Sequence, residues 1–364
     1  MDELQGPLDR LVAAGAPGAA ALVRDEGGSV RAASGLADLD TGRPMGPELH
    51  FRAGSVTKSF VAVTVLRLVA EGRLPGILPY GDRVSVRQLL NHTGGVPHNA
   101  GPVERTLYGS RQGRLRAWSP RELVALVADR PPDFSPGTAW AYSNTGYILL
   151  GLVVEAVTGN PLARELDRCI LGPLGLAGTS LPTDAPGLPS PASRGYSLPR
   201  GPGGDALDGP LLDATLQNPS HAWAAGGLVS DLQDLTGFFR ALLGGRLLPP
   251  GLLAEMRTTA AVPPGSIPLP FYDRYGLGLL EVQTPAGRLV GNAGGIPGFL
   301  NIVLSTQDGR RQLGVMTNPL LAPSPVYEAF SEAFQYLGAR LLSERPILRY
   351  GIPTSSAPSG PRHG

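Results

Sequence analysis

Two kinds of hydrophobic pattern divide this chain. Residues 17–42, PGAAALVRDEGGSVRAASGLADLDTG, place short apolar runs on either side of Gly27-Gly28 and predict two strands joined by a tight turn. The overlapping run LVAAGAPGAAALV (11–23) is interrupted by glycine and proline and reads as a helix end entering a strand. From Ser55 the pattern changes. SVTKSFVAVTVLRLVAEGR (55–73) is apolar on most sides as far as Gly72. Its valines favour a strand locally, but its length and its serine start predict a buried helix.

Further helices are predicted around 86–91, 119–130, 145–158, 161–171 and 231–244. Residues 182–221 are rich in Pro, Gly and Ser and predict a long loop at a pocket rim. Strand patterns return in YGLGLLEV (275–282), RLVGNAGG (288–295), GFLNIVLST (298–306) and RQLGVMTN (311–318), followed by a helix at about 325–343. No internal repeat is apparent. Strands at both ends with helices between them predict one sheet built from the two termini. Residues 1–58 and 256–345 form that discontinuous α/β region, 59–255 a helical region, and 346–364 a frayed tail. Chemistry is then expected in the cleft between the two regions.

Composition narrows the function. With 364 residues, 42% hydrophobic and 17% charged, the chain reads as a soluble globular protein with a real core. A net charge of +1 offers no attraction for nucleic acid or an anionic membrane. The single cysteine, Cys169, excludes an internal disulfide, and the five histidines form no HxH, HExxH or Cys/His cluster, so no metal site is expected. No signal peptide or membrane span is evident, so a cytoplasmic location is expected.

One residue changes the picture. Of 31 lysines and arginines, only Lys58 is a lysine. It stands three residues after Ser55 in the first turn of the predicted helix, so the two side chains share a face. A serine oxygen needs a base to become a nucleophile. Arginine stays protonated in proteins and cannot serve, whereas a lysine buried on an apolar helix can lose its proton. The alternative is a chance lysine on a solvated surface. The helix start also offers the Ser55 N–H to an oxyanion.

Two further stretches bear polar groups beside apolar runs. In WAYSNTGYILLGLVVEAVTG (140–159), Tyr142 and Asn144 stand just before a helix. A phenol beside an ammonium can relay protons, and an amide can hold both a lysine and a substrate carbonyl. Alternatively, Asn144 or Thr145 only caps the helix and Tyr142 packs. In RLVGNAGGIPGFLNIVLS (288–305), Gly294 and Gly295 let the backbone approach a ligand, or simply make a hairpin.

Ser55-x-x-Lys58, Tyr142-x-Asn144 and a Gly-Gly hairpin, in this order, resemble the group of class C serine β-lactamases, D-alanyl-D-alanine carboxypeptidases and family VIII esterases. VSVRQLLNHTGGVP (84–97), LGPLGLAGTS (171–180) and AAGGLVSDLQDLTGFFRALL (224–243) agree with it, and the likeness covers roughly residues 15–345. It implies an α+β, β-lactamase/transpeptidase-like fold: an antiparallel sheet flanked by helices plus an all-helical region.

It also implies site roles. Ser55 would be acylated, Lys58 and Tyr142 would be the base and acid pair, and Asn144 would position substrate. The N–H groups of Ser55 and Gly295 would form an oxyanion hole. The third family motif, normally Lys or His, then Thr or Ser, then Gly, reads Asn292-Ala293-Gly294 here. Asn292 and Gly294 are thus expected on the substrate side, without the cation and hydroxyl that hold a substrate carboxylate. HTGG (92–95) has similar letters but is read as structural.

The expected activity is a serine acyl-enzyme hydrolase of a neutral ester, thioester or amide, needing no cofactor. Alternatives are a transacylase passing the acyl group to an amine or alcohol in natural-product assembly, and an inactive ligand-binding homologue. No GxSxG elbow supports a Ser-His-Asp hydrolase. Trp140, Tyr147, Trp223, Tyr272 and Phe299 are candidates for pocket walls or for core.

Overall fold

A computed structural model describes residues 2–74, 84–200, 207, 209–266, 273–320 and 324–343. The tail and Tyr272 lie outside the described residues. Helix α1 (Asp2–Ala13) leads into strands β1 (Gly18–Asp25), β2 (Gly28–Asp38) and the short β3 (Arg43–Pro44). The turn is Glu26-Gly27, one residue earlier than predicted. Asp25 closes the ladder against Gly28, and its Oδ1 accepts the Gly27 N–H at 2.7 Å.

Six more strands come from the other end of the chain: β4 (Ala260–Ala261), β5 (Arg274–Tyr275), β6 (Leu280–Thr284), β7 (Gly287–Ile296), β8 (Phe299–Ser305) and β9 (Gln312–Thr317). The antiparallel sheet runs β3-β2-β1-β9-β8-β7-β6-β5-β4, with β1 against β9 joining the two termini as predicted. The single strand expected over 275–282 is two. Gly278, at φ +76°, bends the chain between β5 and β6, and a Cβ there would lie 2.5 Å from Ala62.

Both faces of the sheet are covered, which the period-2 alternation makes possible. Ala19, Ala21 and Val23 of β1 and Leu300, Ile302 and Leu304 of β8 pack with Leu4, Leu8, Phe330 and Phe334. Those last four belong to α1 and to the C-terminal helix Ser324–Leu342. Ala20, Leu22, Phe299 and Val303 point the other way, into a core shared with helices α2 (Thr57–Ala70), α4 (Asn144–Thr158) and α5 (Leu232–Leu243). Helix α3 (Ala100–Gly109) lies on the sequence between α2 and α4.

Helix α2 is buried on almost every side, as its all-round apolar pattern predicts. Ser55, however, precedes it on a 3₁₀ turn, Gly54–Val56. The helix expected over 119–130 covers only Pro120–Ala125, set by a Ser119–Glu122 capping box. Beyond Leu166 the 161–171 helix widens into a π turn, Asp167–Leu171. Helices at Ala100–Gly109, Arg111–Leu115 and Pro250–Met256 were not expected.

Within 182–221 the described chain is largely irregular, with Tyr196–Ser197 paired to Leu212–Asp213 and a 3₁₀ turn at Pro219–His221. Arg52 anchors it. This fully buried side chain donates from Nη2 to the carbonyls of Pro186 (2.5 Å), Thr215 (3.1 Å) and Gln217 (3.1 Å). Burial pushes its guanidinium down to about 10. The loop is thereby tied to the residue three positions before Ser55.

Candidate active site

The Ser55 turn is clamped between strand β7 and a helical loop. Ala53 N–H donates to Leu228 O at 2.8 Å, and Thr57 Oγ1 donates to Gly54 O at 2.6 Å while accepting Leu228 N–H at 3.1 Å. On the other side β7 meets the turn backbone to backbone. Gly54 has φ +54°, and a Cβ at Gly294 would lie 1.9 Å from Ala53 O.

The strand register then exposes one amide. Pro297-Gly298 is a two-residue turn, so Ile296–Phe299 is a hydrogen-bonded pair and Gly295–Leu300 is not. Gly295 N–H therefore points away from β8, beyond the point where β6 stops pairing at Leu280–Gly291. That free edge faces the Ser55 turn.

Lys58 is fully buried. Its Nζ donates to Ser55 Oγ at 3.0 Å, Asn144 Oδ1 at 2.8 Å and Ala225 O at 2.5 Å. Among the described residues no carboxylate pairs with it. Desolvation alone therefore drives its pKa well below that of an ordinary lysine. A neutral amine keeps two N–H groups for Asn144 and Ala225 and turns its lone pair to Ser55, so deprotonation strands no buried acceptor.

Tyr142 approaches Ser55 from the other side, its OH 2.6 Å from Oγ. Burial raises its pKa above the usual phenol, outweighing the opposite effect of the Ser55 hydrogen bond. Both partners are thus pushed towards their neutral forms, and of a neutral amine and a neutral phenol only the amine is a good base. The ring of Tyr142 packs on buried His92, with centroids 4.5 Å apart. His92 Nδ1 accepts Ser143 N–H at 3.2 Å, so the HTGG stretch supports Tyr142 from behind and does not line the cavity. Ser143, rather than Asn144 or Thr145, caps α4 by accepting Gly146 N–H at 3.2 Å. That leaves the Asn144 side chain for Lys58.

Ser55, Tyr142, Asn144 and Gly295 line a cavity of about 580 Å³. Two expected members of this set are elsewhere. Asn292 is buried behind the site, its Nδ2 donating to Ser59 Oγ at 2.9 Å and Gly278 O at 3.2 Å, and its Oδ1 accepting Ala293 N–H at 2.9 Å. Substrate cannot reach an amide already committed to three partners. Gly294 is a packing glycine, needed for the contact with Ala53, and does not line the cavity. Trp140, Tyr147, Trp223 and Phe299 are core residues.

The cavity wall also holds residues that sequence reasoning missed: His98, His221, and the pair Arg200–Glu104 at 3.7 Å, whose guanidinium lies 4.2 Å over the Tyr108 ring. No spacing signals them, because they come from α3, the chain before it and the 182–221 loop. Among the described residues no cluster of three or more His, Cys, Asp or Glu could hold a metal, and no single helix is long and apolar enough to cross a membrane.

Sheet, Ser-x-x-Lys turn and Tyr-x-Asn pair together define the β-lactamase/transpeptidase-like fold. A family model described as Beta-lactamase matches residues 5–333, and the chain belongs to that family. It is 39% identical over 179 residues to esterase EstB of Burkholderia gladioli, an alignment covering 44% of this chain and 45% of the esterase, so it spans about half the length of that relative. The crystal structure of a D-stereospecific amidohydrolase from Streptomyces sp. is 35% identical, covering 90% of this chain and 97% of the other with a TM-score of 0.78. D-amino acid amidase from Ochrobactrum anthropi, complexed with L-phenylalanine, is 28% identical over 93% of this chain and 98% of its own, with a TM-score of 0.81.

Proposed function

We propose that the protein is a serine hydrolase that forms an acyl-enzyme on Ser55 from an ester, thioester or amide carrying no free carboxylate. One observation carries this reading: Ser55 Oγ lies between Lys58 Nζ at 3.0 Å and Tyr142 OH at 2.6 Å in an open cavity. Neutral Lys58 takes the serine proton as Oγ attacks the carbonyl carbon. The N–H groups of Ser55 and Gly295 hold the resulting oxyanion. As the carbonyl re-forms and the bond to the leaving group breaks, Tyr142 gives that group its proton and is resupplied by the Lys58 ammonium. Water then attacks the acyl-enzyme by the reverse sequence, releasing the acid and restoring Ser55.

The donor class follows from charge. The family cation that would hold a carboxylate is replaced by buried Asn292, and Arg200 in the cavity wall is already paired with Glu104. The relatives named as an esterase and as amide hydrolases support the ester and amide side, and two of them favour a D-configured acyl carbon. A cavity of about 580 Å³ has room for an acyl chain and a second small molecule, so an amine or alcohol acceptor, and hence transacylation, remains the second reading.

A fluorophosphonate probe tests the core of the proposal. Wild type is expected to gain one adduct by intact mass and Ser55→Ala none. Labelling of Ser55→Ala to the same extent overturns it. Aryl esters of paired enantiomers, incubated with and without amines, read stereochemistry and transfer. Cephalosporin hydrolysis is expected to be slower by about two to three orders of magnitude, the worth of two lost charge-assisted contacts.

A further inference from the structure

We propose that His92 is a positioning residue for Tyr142: through the Ser143 amide, its Nδ1 sets how well Tyr142 protonates a leaving group. This rests on the acyl-enzyme reading above, in which Tyr142 is that acid. Among the described residues only His92 (φ +64°) and Trp223 (φ +33°) combine a side chain with a left-handed backbone. Both adjoin the partners of Ser55. Trp223 lies two residues before Ala225, whose carbonyl accepts from Lys58, and the His92 ring packs on Tyr142. Backbone outliers persist only where their surroundings hold them, and their clustering at one site points to use.

The conformation of His92 has an ordinary origin. The helix Val86–Leu90 ends at Asn91, and Thr93 N–H returns to Gln88 O at 3.0 Å, a closure that puts the residue between them in the left-handed region. Glycine or asparagine fills that place at little cost. Histidine does not, and it carries a second cost. Its Nδ1 accepts Ser143 N–H, so the neutral ring has its proton on Nε2, which is buried with no hydrogen-bond partner. Ending the helix therefore does not account for the imidazole.

Its contacts do. His92 O accepts Ala141 N–H at 3.1 Å and Nδ1 accepts Ser143 N–H at 3.2 Å, so the residues before and after Tyr142 are both bonded to His92. Trp140, Tyr147 and Tyr275 surround the ring, with centroids 5.6, 5.3 and 4.8 Å away. Burial first, and then Lys58 and His98, hold the imidazole neutral, which keeps Nδ1 an acceptor. Tyr142 OH has to meet Ser55 Oγ and then a leaving group in the same place, so a small backbone shift at 142 is felt where the proton is handed over. A leaving group that departs unaided does not feel it.

An anilide and an aryl ester of one acyl group test this. His92→Gly keeps the left-handed turn and removes the acceptor, and His92→Asn keeps the turn and offers Oδ1 in place of Nδ1. The anilide-to-ester ratio of kcat is expected to fall about tenfold in His92→Gly and to stay within about threefold of wild type in His92→Asn, the span of one hydrogen bond. His92→Leu, which fills the place of the ring without an acceptor, should fall as His92→Gly does and decides the matter if His92→Gly does not fold. Once Tyr142→Phe is present, neither acceptor-free variant should lower the ratio further, because the effect passes through the phenol. Equal losses on both donors, equal falls in the ratio with and without an acceptor at 92, or a further fall beside Tyr142→Phe overturn the proposal. If Tyr142→Phe alone leaves the ratio unchanged, the acid assignment itself fails and takes the proposal with it.

Discussion

Lys58→Met separates the cost of burying this amine from its use. At pH 7 an ordinary lysine is neutral in about one molecule in 2,500. Lys58 is fully buried with no carboxylate partner among the described residues, and its pKa is driven well down. Each unit of that shift raises the neutral fraction tenfold and costs the charged fold about 1.4 kcal/mol. The sign follows from proton counting: between the folded and unfolded values the unfolded chain binds more protons, so stability rises with pH. Below the folded value the penalty is fully present, and it disappears as pH approaches the unfolded value.

Methionine at this position does not titrate. Urea midpoints of the two proteins should therefore diverge in wild type's favour as pH rises from about 6 to 9, by up to about 1.4 kcal/mol per unit inside the window. Methionine also leaves Asn144 Oδ1 and Ala225 O without their donor, a pH-independent loss of about 1–3 kcal/mol each, so the slope is the test and not the offset. Lys58→Arg asks the complementary kinetic question. It keeps the charge but cannot accept a proton, and turnover should fall by about 10²–10⁴. A stability difference that is flat with pH, or an arginine variant within about tenfold of wild type, refutes the reasoning.

Tyr142→Phe removes the 2.6 Å contact to Ser55 and the proton for the leaving group, so an anilide should lose about 10²–10⁴ in kcat while an aryl ester, which leaves unaided, loses far less; a leaving-group series checks this. Gly294→Ala places a Cβ 1.9 Å from Ala53 O and should lower stability by about 1–3 kcal/mol and suppress Ser55 labelling, because β7 must retreat from the turn. Gly295→Ala meets only the movable end of Leu320 at 3.3 Å and should melt close to wild type. Arg52→Met strips donors from Pro186, Thr215 and Gln217, and limited proteolysis within 182–221 should accelerate.

Legibility in the sequence followed the range of the interaction. Helix α2 could be read because fourteen residues of nearly all-round hydrophobicity cannot be a surface helix, and Lys58 stood out because a buried cation among arginines needs a reason. The Ser55–Lys58 pair is local, three residues apart, so spacing alone brought it together. Tyr142 and Asn144 needed 86 or 87 residues of intervening chain to close on it, and the family likeness, not periodicity, supplied that closure. The 3₁₀ turn was missed because hydrophobic pattern does not distinguish a first turn that tightens against β7 from one that continues α2.

Asn292 shows where such reasoning stops. Its place in the third motif is a matter of sequence, but its direction depends on what α2 and the bend at Gly278 present to it. Ser59 offers a hydroxyl and Gly278 a carbonyl, each within 3.2 Å of Nδ2, and the amide turns to them. A lysine there would find the same two acceptors, one of them next in sequence to an already buried Lys58, with no carboxylate among the described residues paired there to offset a second charge. The loss of the carboxylate anchor and the depressed amine of Lys58 are in this sense one electrostatic arrangement. Among the described residues the site has no unpaired cation beside Lys58, an arrangement that favours a deprotonated base and, on the reading proposed above, a donor without negative charge.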